Sequence, residues 1–306
     1  MSNYLKFLLE FLIFPGLVFV AIIGLLLSWL DRKISARLQW RVGPPWYQCF
    51  ADIIKLFGKE TIIPQGRKLI FLLAPIVSAI SVILISVLLY NANFYPQCSF
   101  LGDIILVIYL LALPPLMTIL GASASKNPLS SVGASREMTL YFAYELPFVI
   151  VTILLIMKAH GSIRLFELIN YQKTHGAYLY SISGVITFII YLFTMQAKLG
   201  YVPFDIAEAE QEIMAGVYTE YSGFALAMFK LTKAMLLFVF PMFIITLVWG
   251  GINSISTLWK FAIIFILTVL VKNTNPRVRI DQALKFFWLG MTPLAILGLI
   301  LGLYKL

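Results

Sequence analysis

The sequence is 306 residues long, 61% hydrophobic and only 12% charged, with a mean hydropathy of +0.93 and a net charge of +9. Soluble domains carry about 25% charged residues, so this composition excludes an ordinary soluble enzyme and indicates a polytopic membrane protein. Two cysteines and two histidines, none at ligand-like spacing, argue against a haem, an iron–sulfur cluster or a structural zinc held by this chain alone.

Lipid offers the backbone no hydrogen-bond partners, so each span must be a helix or a strand of a closed barrel. The apolar runs are continuous and do not alternate, which selects helices. The first run starts in MSNYLKFLLEFLIFPG and continues to Leu30 without a cleavage-type site, so it reads as a retained helix and not a removable signal. Eight spans follow the pattern: 8–30, 69–90, 103–122, 137–157, 178–198, 224–248, 257–272 and 286–304. They form one polytopic membrane domain over residues 1–306, with a long inner loop at 31–68 and an acidic inner loop at 199–223.

The 31–68 loop opens with the basic stretch DRKISARLQWRVGPP and breaks at two prolines. WYQCFADIIKLFGKE follows. Trp46, Phe50, Ile53, Ile54 and Phe57 fall at helical spacing on one face, and Gln48, Asp52, Lys55 and Lys59 take the other. Such a stripe predicts an interfacial amphipathic helix, or one packed on the protein's own spans.

Glu145 lies within the fourth span, in LYFAYELPFVIV, two residues before Pro147. An ionisable residue inside a span is costly and marks either an ion path or a structural pair. Lys230 and Lys233, at the start of the sixth span, are its candidate partners. The proline frees a carbonyl one turn back, as at functional kinks.

Residues 205–220 hold Asp205, Glu208, Glu210, Glu212 and Glu220, five of the chain's 14 acids, and no Lys or Arg occurs from Leu199 to Phe229. A helix through PFDIAEAEQEIMAG would place Asp205, Glu208 and Glu212 near one face. A solvated loop accounts for one or two such acids. Five, in apolar surroundings, predict carboxylates that repel, lose solvent and exchange protons.

Orientation follows from the basic residues. Loops 31–68, 123–136, 199–223 and 273–285, with Lys272, hold 14 Lys and Arg; the opposite side holds five. The positive-inside rule then puts these loops in the cytoplasm and both termini outside. Arg32, Arg37, Arg41, Arg277 and Arg279 form an inner basic rim, explained by topology alone or by a docked cytoplasmic partner.

Four stretches carry a family resemblance. PFDIAEAEQEIMAGVYTEYSGFALAMF resembles the acidic signature of the membrane subunit that anchors the peripheral arm of respiratory complex I, subunit 1 of NADH dehydrogenase. SREMTLYFAYELP resembles that family's fourth-span motif, LDRKISARLQWRVGP its first inner loop with Asp31 in place of the usual Glu, and NPRVRIDQALKFFW the motif before its last span. One departure selects a branch. RVGPPWYQ passes from Pro44 to Gln48 through three residues, where complex I subunits carry a longer insertion near their quinone entrance. The compact form resembles the membrane anchor of energy-converting membrane-bound NiFe hydrogenases, including formate hydrogenlyases.

The resemblance implies a non-catalytic membrane subunit of a ferredoxin-linked hydrogenase that couples electron transfer to proton or sodium translocation. It implies a proton path through Glu145, Asp205, Glu208, Glu210, Glu212 and Glu220, with Lys230 and Lys233 beside it. Arg32, Arg37, Arg41, Arg277 and Arg279 would sit near the docked arm, and Asp52 and Lys55 would line the cavity beneath it. The expected partners are hydrophilic hydrogenase-like subunits with iron–sulfur clusters, antiporter-like membrane subunits and the lipid bilayer, with no nucleic acid. A NiFe centre and the clusters belong to those partners, and no cofactor to this chain. The expected location is a prokaryotic plasma membrane. The alternatives are the quinone-binding subunit of complex I itself, the matching subunit of a sulfur-reducing relative, a stand-alone cation/proton antiporter and a purely structural anchor.

Overall fold

The computed structural model describes residues 8–64, 66–252 and 255–304, apart from the side chains of 210 and 211, and among these it contains helices and no strand. A helical turn at 8–12 leads into α1 (Leu17–Leu38), then α2 (Gln48–Phe57), α3 (Lys68–Phe94), α4 (Asp103–Ala124) and α5 (Pro128–Lys158). There follow α6 (Leu165–His175), α7 (Ile182–Lys198), α8 (Glu210–Ile213), α9 (Gly223–Val248), α10 (Ser256–Thr274) and α11 (Ile280–Leu303). Within α11, Phe286–Met291 take the wider π winding, and Thr292 Oγ1 donates to the Phe287 carbonyl at 2.8 Å. The sequence pattern gave no sign of this bulge.

Each of the eight predicted spans falls on a helix. Seven of these helices are long and apolar enough to cross a bilayer: residues 8–38, α3, α4, α5, α9, α10 and α11. The eighth, α7, has 17 residues, so it rises about 26 Å against a hydrocarbon core of about 30 Å. It begins at Ile182 because Ser181 caps it, accepting from the Gly184 N–H at 3.2 Å. The preceding Tyr178–Tyr180 form a separate tight turn.

The chain divides into two compact units. One comprises Met1–Val87, Tyr109–Met138 and Asp205–Val239. Its core stacks Phe71 on Tyr221, with ring centroids 4.0 Å apart, and sets Phe229 edge-on to Tyr221 at 4.9 Å. Helices α1 and α9 approach closely at Gly24, where an added Cβ would lie 2.5 Å from the Ala234 carbonyl oxygen. Helix α2 forms as predicted but divides its apolar stripe. Ile53 is buried with Cys49, while Trp46, Ile54 and Phe57 stay exposed.

The other unit comprises Leu88–Ile108, Thr139–Phe204 and Phe240–Leu306. Its aromatic centre joins Phe148, Tyr191, Phe240 and Phe243. Buried there, the Tyr191 hydroxyl shares a 3.0 Å hydrogen bond with Thr152. Helix α9 ends in this core, so its last carbonyls need partners. Gln172 of α6 donates to the Thr246 and Leu247 carbonyls at 3.1 and 3.0 Å and accepts from the Gly250 N–H at 2.8 Å.

Candidate functional site

In the first unit, the acidic segment is where expectation and structure differ most. Residues 201–209 are irregular, and the helix expected through PFDIAEAEQEIMAG shrinks to Glu210–Ile213. Ile206, Ala207, Ala209, Ile213 and Val217 are all buried even so, although their spacing would suit one helix face. Met214 and Ala215, both left-handed at φ 49° and 70°, then end the helix. The turn at Gly216, φ +45°, lies so close to the Ala207 carbonyl that a Cβ would sit 2.0 Å from its oxygen. This folded-back segment also packs closely against α5 at Gly133, where a Cβ would lie 2.7 Å from the Val217 nitrogen.

This folding spreads the five acids over different environments. Glu208 accepts from Lys233 Nζ of α9 at 2.7 Å, and both side chains are partly buried. Asp205 is half-buried, within electrostatic reach of the same lysine. Glu212 is bonded to Arg136 Nη1 at 2.7 Å and is 65% exposed. Glu220 accepts from Asn127 Nδ2. The Glu210 side chain lies outside the described residues. Glu208 and Glu212 thus have basic partners that the absence of local Lys and Arg did not suggest. Their countercharges arrive from α5 and α9.

Two participants were missed by sequence reasoning. Glu137 of α5 is half-buried and lies within electrostatic reach of Glu208, Lys233 and Asp205. Its signal was available: Glu137, Tyr141 and Glu145 recur every four residues on one helix. Tyr218 is the second. Burial first, then the Glu208 and Glu137 carboxylates, push its phenol well above the ordinary value.

In the second unit, the partner of Glu145 is Lys198, the last residue of α7, with Nζ 2.8 Å from Oε2. That corrects the expected pairing with Lys230 or Lys233: Lys233 is engaged by Glu208, and Lys230 is exposed and makes no ion pair among the described residues. The Lys198 side chain is 1% exposed and that of Glu145 16%. Lys198 Nζ also lies 4.5 Å from the Phe148 ring centroid and 5.4 Å from that of Tyr144. A desolvated ammonium between a carboxylate and two ring faces is held by both Coulomb and cation–π attraction.

The docking candidates are arranged less uniformly. Arg32 pairs with Asp52 at 3.1 Å, and Gln48 donates to the other Asp52 oxygen at 2.9 Å, which ties α1 to α2. Arg37, Arg41 and Lys55 are exposed in the same unit. Arg277 and Arg279 are exposed in the other, where the Arg279 N–H is capped by Gln282 Oε1 at 3.1 Å at the start of α11. Among the described residues no cluster of three or more His, Cys, Asp or Glu could hold a metal ion.

The fold and these pairs define a class: a multi-span helical membrane protein with carboxylate–lysine pairs held among its helices. The NADH dehydrogenase family profile matches residues 11–303, and the chain belongs to that family. It is 35% identical to an NADH-quinone oxidoreductase subunit of Helicobacter acinonychis, over 93% of this chain and 94% of that one. It is 32% identical to the subunit of the same name from Dehalococcoides mccartyi, over 100% and 89%. Among solved structures it resembles a chain of the membrane-bound sulfane sulfur reductase, described as an archaeal respiratory membrane complex, with a TM-score of 0.86 and 28% identity over 99% of this chain and 100% of that one.

Proposed function

We propose that the chain is the arm-anchoring membrane subunit of a compact, complex I-like oxidoreductase, and that it couples electron transfer in hydrophilic partners to ion translocation. The single observation that carries this is the two carboxylate–lysine contacts held away from bulk water among apolar helices, Glu208–Lys233 and Glu145–Lys198. An inert anchor has no need of them, since replacing a buried ion pair with apolar residues is often neutral or stabilising. Helix α5 carries Glu137 toward one pair and Glu145 within the other. The exposed basic side chains of Arg37, Arg41 and Lys55 then serve a docked partner.

The compact branch is favoured over the quinone-reducing one. Gln48 N–H bonds the Pro45 carbonyl at 3.2 Å, so the chain turns straight from the double proline into α2. The alignment to the Helicobacter relative runs to 316 positions while taking in 93% of these 306 residues, so this chain is gapped against it. The sulfur reductase chain is covered from end to end. The electron acceptor of this reading is a small diffusible one. Protons, as in a ferredoxin-linked NiFe hydrogenase, are the first choice. Sulfane sulfur is the second, favoured by the solved relative.

The chain's own contribution is electrostatic. Driving one charge against 100 mV takes about 2.3 kcal/mol, and a pKa change of one or two units, at about 1.4 kcal/mol each, is of that order. A redox event above that shifts the proton affinity of Glu208 or Glu137 would thus transmit enough free energy through a few coupled groups. The test is purification of the native complex, identification of its subunits, and assay of hydrogen or sulfide production with and without ion pumping in vesicles. Glu145→Gln and Glu208→Gln are expected to keep turnover with artificial donors and to lose most of the ion gradient. Full pumping in both variants rules out the coupling role, and ion exchange by the single chain in liposomes would favour an antiporter.

A further inference from the structure

The second unit holds a cavity of about 710 Å³ that the coupling reading does not use. It lies between the end of α5, the α6–α7 turn and the end of α11. Its polar side gathers Lys158, both histidines of the chain, His160 and His175, and the hydroxyl-bearing Tyr171 and Tyr180. Its apolar side is made by Leu154, Met157, Leu299 and Leu303 at helix ends.

Three features suit this cavity to an anion with a hydrocarbon tail. Lys158 Nζ donates to Ser181 Oγ at 2.7 Å and Ser183 Oγ at 2.6 Å, and joins no ion pair among the described residues, so its third N–H can serve a ligand. His175 stacks on Tyr171 at 4.3 Å and His160 meets the same ring edge-on at 5.5 Å, so one tyrosine positions both imidazoles. Gly302 lets α11 close onto α5: a Cβ there would sit 2.2 Å from Leu154 Cδ1 and 3.4 Å from Lys158 Cε, narrowing the pocket. In the 158–177 segment that supplies part of the lining, Arg164 and Lys173 outnumber Glu167, itself paired to Arg164 at 3.7 Å.

We infer that this cavity binds the phosphate headgroup of an anionic membrane lipid, with Lys158 contacting the phosphate and the acyl chains lying along Leu154, Met157, Leu299 and Leu303. The shared chemistry is a phosphate anion, and free phosphate is the other source. The tail-sized apolar wall, with Met157 and Leu303 exposed, favours the lipid.

The experiment extracts the full chain with its native partners, exchanges it into equimolar phosphatidylglycerol and phosphatidylcholine, and measures retained lipid by native mass spectrometry, with and without added inorganic phosphate. The expected result is selective retention of phosphatidylglycerol that inorganic phosphate does not displace. Lys158→Gln should lower that selectivity about tenfold by removing a charge-assisted contact. Leu299→Trp, which leaves every polar group in place and fills the apolar half, should lower total retention and so guards against misfolding of the lysine variant. Equal retention of both lipids, unchanged selectivity in Lys158→Gln together with unchanged total retention in Leu299→Trp, or displacement by inorganic phosphate alone would each overturn the inference.

Discussion

At the scale of single residues, the ion pairs differ chiefly in how much water reaches them. Lys198 and Glu145 are nearly dry, Lys233 and Glu208 partly so, and Glu212 faces solvent beside Arg136. Removing one member of a buried pair strands the other charge, at about 3–5 kcal/mol, whereas an exposed pair is worth about 0–1 kcal/mol. Lys198→Met should therefore lower the thermal stability of the detergent-solubilised protein sharply. The double variant Lys198→Met with Glu145→Gln should recover much of the loss. Glu212→Gln should melt within about 0.5 kcal/mol of the parent. A double variant no more stable than Lys198→Met alone would show that the pair does not carry the cost.

At the scale of elements, helices were legible and the acidic loop was not. Long apolar runs fix the spans because any unpaired peptide group in lipid is so costly that length and composition suffice. The stripe through Ile53 and Ile54 likewise announced α2, though not that Ile54 and Phe57 would remain uncovered. Residues 205–217 have buried positions at helical spacing, but the left-handed backbone of Met214, Ala215 and Gly216 and the close approach of Gly216 to the Ala207 carbonyl fold the segment back, so local spacing gave the wrong helix. The partners of the acids were hidden for the same reason: Lys233 and Arg136 are 25 and 76 residues away from the groups they bind. This tertiary origin makes Gly216 a sensitive point. Gly216→Ala combines left-handed strain with a clash against the Ala207 carbonyl, so a loss of about 2–4 kcal/mol is expected. Gly161→Ala, also left-handed at φ +80° but with open space around its Cβ, should cost only about 1–2 kcal/mol. Limited proteolysis of the 205–221 segment should rise in the first variant and stay unchanged in the second.

At the scale of the whole molecule, the functional reading requires that the basic loops and the hydrophilic partners share one side of the membrane. By the positive-inside rule, the 14-to-5 asymmetry of Lys and Arg would put that side in the cytoplasm. The two free cysteines provide the test without any engineering. Cys98 is exposed at the turn between α3 and α4, on the side assigned to the exterior, and Cys49 is buried in α2 on the opposite side. A membrane-impermeant maleimide should thus label the chain in right-side-out vesicles, at Cys98 alone, and leave it unlabelled in inverted vesicles until detergent is added. Cys98→Ser should abolish the signal and so exclude Cys49 as its source. Labelling from the cytoplasmic face instead would put Arg37, Arg41 and Lys55 outside the cell, where no cytoplasmic electron donor could reach an arm docked on them.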